Sequence, residues 1–264
     1  MPFAWRRSIS PTLPTSQTFL QRCCGRARYT PVLLSTALNS WCSVIIPTLN
    51  EERHLPDTLR RLPLEEVEVV ISDGGSSDNT RQIARSFGAI VVVSPPGRAR
   101  QLNTGARAAS GQWFYFLHAD TTPPQNLSLH LRAAAQIGLP ARFAVRFDRE
   151  DENRWLALFG RMSKYDVSVF RFGDQSLFLS REQFQSSGGY REDHELMEGH
   201  ELARRIEKSA GGFRVMNGAV TTSSRRYLRY GVVFTQLVFV LIVALYYSGI
   251  PQRRLVEIYK WAFS

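Results

Sequence analysis

Residues 67–80 read VEVVISDGGSSDNT, a short apolar run that breaks at Asp73-Gly-Gly and passes through Ser, Asp and Asn into a helical pattern reaching Phe87. A β-branched run of this length, stopped by glycine and followed by helix-starting residues, predicts a buried strand feeding a helix. The same unit recurs on both sides. Residues 43–46 precede a helical stretch over 51–62, residues 90–93 precede one over 98–109, and residues 113–117 read as a fourth strand. Strands alternating with helical stretches predict βαβ units, hence an α/β fold with a mostly parallel sheet covered on both faces. Ligands dock at the carboxyl ends of such strands. Here those ends carry Pro47-Thr-Leu-Asn-Glu51, Ser72-Asp-Gly-Gly-Ser-Ser-Asp78, Pro95-Pro-Gly-Arg98 and His118-Ala-Asp120.

The chain has 264 residues with 33 Lys+Arg and 23 Asp+Glu, and 44% of it is apolar. That composition excludes a disordered or collagenous chain. The basic excess is not spread over the middle of the chain, where a nucleic-acid binder would need it. Residues 1–50 hold five Arg and no acid, and residues 204–264 hold ten basic and two acidic side chains. Basic ends beside apolar sequence point to an anionic membrane surface or to phosphates.

Residues 1–42 are rich in Ser, Thr, Pro and Arg and form an extension outside the fold, expected to be poorly ordered. The composition also suits an organellar targeting segment. The cysteines Cys23, Cys24 and Cys42 have neither zinc nor disulfide spacing. At the other end, residues 231–250 (GVVFTQLVFVLIVALYYSGI) carry no charge and lie between Arg225, Arg226 and Arg229 and Arg253 and Arg254. Residues 229–264 are therefore read as apolar and basic membrane-associating helices, with crossing left open and residues 43–228 as the catalytic domain. The expected location is membrane-associated, on the cytoplasmic face.

Asp73 caps no obvious helix, so its carboxylate is expected to be free for a base or ribose, while Asp78 is placed as an N-cap. DGGS alone is equally a plain turn. Asp120, projected beyond the strand WFYFL, suits Mn²⁺ or Mg²⁺, which take hard oxygen ligands, with His118 in support. Arg98 and Asn103 sit where a Gly-led loop becomes a helix and can meet anionic groups. Glu198 and His200 stand beside a glycine in a charged helical segment, either as a solvated face or as a source of a general base.

These motifs, with Gly173-Asp-Gln175 and Gly188-Gly-Tyr190, follow the order of family 2 glycosyltransferases over about residues 43–230. The chain resembles most closely the bacterial radical-SAM-associated subfamily named for arsenosugar biosynthesis. The resemblance implies a GT-A type αβα sandwich with a C-terminal apolar helical segment, acting on a nucleotide-sugar donor by inversion with a divalent metal. It implies Pro47, Thr48, Asn50, Glu51, Asp73, Arg98 and Asn103 at the nucleotide and Asp120 on the metal. Asp174, Gly188, Gly189 and Tyr190 fall on the acceptor side, and Arg226 in an Arg-Arg-aromatic motif that neutralises departing diphosphate. The acceptor is a small metabolite or a lipid-linked alcohol.

One position departs from that pattern. The family's Glu-Asp pair falls on Glu198 and Gly199, and glycine cannot accept a proton. Three readings stand: Glu198 or His200 substitutes, the acceptor needs little help, or the protein binds a donor and transfers poorly. Two other functions are weighed beside transfer. One is a non-catalytic membrane-attached sugar-nucleotide binding protein. The other is a nucleotidyltransferase, against which the missing Lys-bearing Gly-rich loop counts.

Overall fold

The computed structural model describes residues 40–165 and 176–264. Its strands are β1 (Cys42–Thr48), β2 (Glu68–Asp73), β3 (Ile90–Val93), β4 (Trp113–Phe116), β5 (Thr121–Thr122), β6 (Ala141–Phe147), β7 (Leu177–Ser180) and β8 (Arg214–Thr222). They form one sheet in the order β3-β2-β1-β4-β7-β6-β8-β5. β1 pairs parallel with β2 and β4, β2 with β3, and β6 with β8, whereas β7 runs antiparallel to β4 and β6 and β5 antiparallel to β8. The α/β reading holds, and the four strands expected from the sequence are those of the parallel half.

Period-two alternation along these strands builds two cores. Val44, Ile46, Val69, Ile71 and Tyr115 face one layer with α1 (Leu55–Arg60) and α4 (Leu127–Ile137). Ile45, Val70, Phe114 and Phe116 face the other with α3 (Arg98–Ala108), α6 (Arg181–Ser186) and α7 (Glu198–Ala210). The sheet is thus sandwiched between helices. α3 lies so close to β1 that a Cβ on Gly105 would stand 2.5 Å from Ile45 Cγ2, a contact only glycine permits. Cys42 is fully buried in the first core and burial pushes its thiol up, which fits a packing role.

Two local expectations shift. The helix expected from residue 51 starts at Leu55, because Asn50 adopts φ 55 and the chain turns through residues 51–54 before it can wind. Asp78 does not cap by itself at the boundary: α2 (Thr80–Ser86) is preceded by Asn79, and the Asp78 carboxylate accepts from the Thr80 and Glu52 amides. Desolvation raises its pKa, but hydrogen bonds from the Thr80 hydroxyl and from the Thr80 and Glu52 amides together outweigh that and hold the carboxyl below its ordinary range.

Three helices close the chain: α8 (Arg225–Tyr230), α9 (Val232–Tyr247) and α10 (Gln252–Ala262). They belong to the same compact unit as the sheet. The uncharged run of residues 231–250 is helical over 16 residues and stops where Ser248 and Gly249 end the winding. Among the described residues no helix is long and apolar enough to cross a membrane.

Candidate functional site

The sheet order reverses at β1: β2 and β3 lie on one side and β4 on the other. The loops after β1 and β4 therefore splay apart and open a crevice. Pro47 and Thr48 come from the end of β1 and Glu51 from the loop after it, His118 and Asp120 from the loop after β4, and Arg98 from the start of α3; with Gln101, Arg225 and Arg226 they line one polar hollow. Five residues expected at the nucleotide or the metal (Pro47, Thr48, Glu51, Arg98 and Asp120) thus share a cleft, with Arg226 at its rim. Gln101, which sequence reasoning missed, ties its walls together by donating from Nε2 to the Thr48 carbonyl at 2.7 Å and the Ser72 carbonyl at 3.0 Å.

The cleft sets two carboxylates against a guanidinium. One guanidinium nitrogen of Arg225 stands 3.1 Å from Asp120 Oδ2 and 3.3 Å from Glu51 Oε1. The second Glu51 oxygen is buried with no hydrogen-bond partner. Two carboxylates bridged by a positive side chain, one with an orphaned oxygen, fit the hard-oxygen chemistry of a divalent cation. Among the described residues no group of three or more His, Cys, Asp or Glu is gathered to hold a metal. Phosphate oxygens would have to complete such a shell.

Several expected ligands are engaged elsewhere. Asp73 is fully buried, and its carboxylate accepts from the Gly75 amide at 3.1 Å, the Ser76 amide at 2.9 Å, the Ser76 hydroxyl and Thr48 Oγ1, with Arg81 Nε at 3.6 Å. The expectation of a free carboxylate is corrected: Asp73 is consumed in shaping the β2 loop and joining it to β1. Asn50 has a similar part, its Oδ1 accepting from the Ser77 amide at 2.8 Å, and it does not line the cleft. Asn103 is turned away from the donor side as well. Its amide donates to the Tyr190 carbonyl at 2.9 Å and to Glu192, and its oxygen accepts from the Tyr190 amide at 2.9 Å.

Asn103 thereby fixes the Gly188-Gly189-Tyr190 turn. Gly189 has φ 71, and a Cβ there would stand 2.9 Å from Asn103 Oδ1, so glycine is required on both counts. Arg205 holds the same turn by donating to the Ser187 and Gly189 carbonyls while paired with Glu201. Glu201 and Arg205 are accordingly structural. Asp174, with Gly173 and Gln175, lies outside the described residues.

A second, narrow hollow of about 50 Å³ adjoins the first and shares Arg98 and His118 with it. Its walls include Leu102, Phe116, Leu177 and Tyr190, and Glu198, Gly199 and His200 line it too. Glu198 is 5% exposed and Glu198 Oε1 accepts from Arg98 Nη1 at 3.3 Å, which joins the starts of α3 and α7. It is not part of a solvated helix face. The preceding Met197 has φ 65, an uncommon backbone state for its type, and this turn aims Glu198 inward. Burial, and after it the negative charge of Glu198, raises the Tyr190 phenol well above its ordinary pKa, so Tyr190 is a proton-bearing wall.

His200 and Arg226 line these hollows and also have partners in the C-terminal helices. His200 Nε2 meets the Tyr247 hydroxyl at 2.6 Å and its ring packs edge-on against Tyr246 and Tyr247, so α9 holds the imidazole. The Arg226 guanidinium lies about 6 Å from the ring centres of Phe239, Tyr259 and Phe263, among the C-terminal aromatics. Arg225 is the member of that pair which faces the carboxylates. Arg142, which the sequence gave no reason to single out, is buried in the wall of the second hollow and donates to the Ser163 and Tyr165 carbonyls.

The family model described as Glycosyl transferase family 2 matches residues 43–213, more than half of the chain. A PGL/p-HBAD biosynthesis glycosyltransferase of Mycobacterium bovis is 37% identical over 106 residues, 36% of this chain and 41% of that protein. An undecaprenyl-phosphate 4-deoxy-4-formamido-L-arabinose transferase of Pseudomonas fluorescens is 29% identical over 129 residues, 43% of this chain and 38% of that one. The chain thus spans about two fifths of the length of these curated relatives. Among solved structures, glucosyl-3-phosphoglycerate synthase from Mycobacterium tuberculosis, in complex with Mn²⁺, uridine diphosphate and phosphoglyceric acid, superposes with TM-score 0.57 at 23% identity. That match covers 80% of this chain and 79% of the other. At that identity the likeness carries the fold, which is of the GT-A type.

Proposed function

This chain belongs to glycosyl transferase family 2, and from that premise we propose that it moves a sugar from a nucleotide-sugar donor to a hydroxyl acceptor with inversion. The observation that carries the reading is the cleft at the sheet reversal, where Thr48, Glu51, Arg98, Asp120 and Arg225 converge. The nucleotide would lie over the β1 and β2 ends, with Asp73 and Asn50 acting through the loops they shape. Asp120, with Glu51 beside it, would hold Mn²⁺ or Mg²⁺, and a bound divalent ion supplies charge neutralisation of the diphosphate. The synthase complex, which contains Mn²⁺ and uridine diphosphate, supports that assignment. Arg225 and Arg98 stand where negative charge grows as the diphosphate departs, which is electrostatic stabilisation aimed at the leaving group.

The acceptor enters the adjoining hollow. Its hydroxyl oxygen bonds to the anomeric carbon from the face opposite the phosphate, the sugar–phosphate bond breaks with its electron pair leaving on the diphosphate, and Glu198 takes the hydroxyl proton. One displacement inverts the carbon. The relative named as an undecaprenyl-phosphate transferase supports a lipid-linked acceptor over a small metabolite. The motif order supports a place near the radical-SAM-associated arsenosugar group. The second reading, donor binding without transfer, is favoured by Gly199 alone.

Incubation with UDP-, GDP- and dTDP-sugars, Mn²⁺ and a panel of polyprenyl phosphates and small alcohols, read by nucleoside diphosphate release, tests the proposal. Release that increases with one donor–acceptor pair is expected. Donor binding with no release, unrescued by Gly199→Asp, would leave only the binding protein.

A further inference from the structure

The helix α9 is apolar on both faces, and what polar side chains it carries in its interior face inward. Its two polar interior residues, Thr235 and Gln236, point into the protein, where Thr235 Oγ1 and Gln236 Oε1 have no hydrogen-bond partner among the described residues. The opposite face, Val233, Phe234, Leu237, Val240, Leu241 and Ala244, recurs at helical spacing, is exposed and is wholly apolar; Leu237 is 63% exposed. A surface helix normally shows the reverse arrangement. Contiguous apolar exposure of this kind marks a surface that is covered in use.

The rim identifies what covers it. Arg225, which is paired at the donor cleft, and Arg229 lie on α8 just before the helix, and Arg253 and Arg254, 90% and 73% exposed at their side chains and sharing the one carboxylate of Glu257, stand at the start of α10 just after it. Trp261, 80% exposed, lies further along α10. No acidic side chain occurs between Glu207 and Glu257. An apolar stripe rimmed by arginines and an interfacial aromatic fits the boundary between acyl chains and anionic headgroups. With 16 residues the helix is too short to span. We infer that the outward face of α9 seats the protein on an anionic lipid surface, lying in the headgroup boundary.

The placement gives the docking a purpose. α9 follows α8, whose first residue Arg225 faces the donor cleft, and ends at Tyr247, whose hydroxyl meets His200 of α7, which lines the acceptor hollow with Glu198. Seating α9 in the interface brings the mouth of the acceptor hollow to the membrane, on the leaflet that carries anionic lipid. The inference stands on α9 and does not depend on the transfer chemistry.

The test uses the full chain with vesicles of phosphatidylcholine alone and with added phosphatidylglycerol, read by flotation. The protein should float with the anionic vesicles, less so with phosphatidylcholine or in high salt. Leu237→Glu with Leu241→Glu should lower partitioning about a hundredfold, about tenfold per leucine withdrawn from the apolar phase. Arg253→Glu with Arg254→Glu should weaken only the anionic case. Both variants should keep the wild-type melting transition and its stabilisation by nucleotide sugar, which separates lost docking from lost folding or lost donor binding. Wild-type protein that stays off anionic vesicles, or a leucine variant that floats unchanged, overturns the inference. So does a wild-type dimer that becomes monomeric in the leucine variant with no vesicle binding, since a second copy would then cover the face.

Discussion

Glu198→Gln removes basicity while keeping size and the ability to accept from Arg98. The wild-type pair is half exposed on the arginine side, with side-chain exposures of 40% and 7%. After solvent screening, its loss is worth about 1 kcal/mol or less of stability, a fall of about 2–4 °C in melting temperature. Turnover should respond far more strongly. Loss of a positioned base typically costs about 10²–10⁴ in rate, or about 3–5 kcal/mol of barrier. The assay is nucleoside diphosphate release at saturating donor, with kcat compared at matched occupancy and folding checked by thermal melt. Gly199→Asp supplies an independent arm. A Cβ at Gly199 meets nothing within 4 Å, and a carboxylate in the first turn of α7 is favoured by the helix dipole by about 0.3–1 kcal/mol. Added to Glu198→Gln, it should restore part of the lost rate. A Glu198→Gln enzyme with wild-type kcat would refute the assignment of the base.

Arg225→Ala should weaken donor binding about tenfold in isothermal titration. Arg226→Ala should instead lower the melting temperature, because its guanidinium lies among three aromatic rings worth about 0.5–1 kcal/mol each when packed this way; equal effects on affinity would contradict the division. Asn103→Ala unpairs the Tyr190 backbone and should cost about 1–3 kcal/mol by chemical denaturation, leaving donor affinity intact. Burial raises the acid groups of Tyr190, Tyr115 and Cys42. Their contribution is whole below the ordinary thiol and phenol range and is lost as pH rises through it, since only the unfolded chain then releases the protons. Stability should therefore fall above about pH 9, and Tyr190→Phe should flatten that fall.

The alternation of apolar runs and helical stretches from residue 43 to 117 made the parallel half of the sheet legible, because each buried strand is nearly continuous in hydrophobicity. β7, β6 and β8 carried weaker signals, since Arg142 and Asn217 interrupt them and their pairing is non-local. Loop composition pointed correctly to the crevice, with Thr48, Glu51, Arg98 and Asp120 together in it. It could not tell which polar side chain faces a ligand and which is spent on its own loop. Asp73, Asn50 and Asn103 are of the second kind, their partners lying in other loops 25 to 87 residues away. The partner of His200, Tyr247, likewise sits 47 residues on. The choice of Arg225 over Arg226 depended on the angle at which α8 leaves β8, which no spacing encodes.

The most direct measurement is thermal stabilisation by nucleotide sugars with and without Mn²⁺, in wild type and in Asp120→Ala. A donor at about 100 times its dissociation constant should stabilise the native state by about 2.7 kcal/mol. The account predicts a Mn²⁺-dependent shift in wild type that Asp120→Ala loses while its unliganded melt is unchanged. Equal, metal-independent shifts in both proteins would contradict it, and no shift with any donor would remove the cleft as a nucleotide-sugar site.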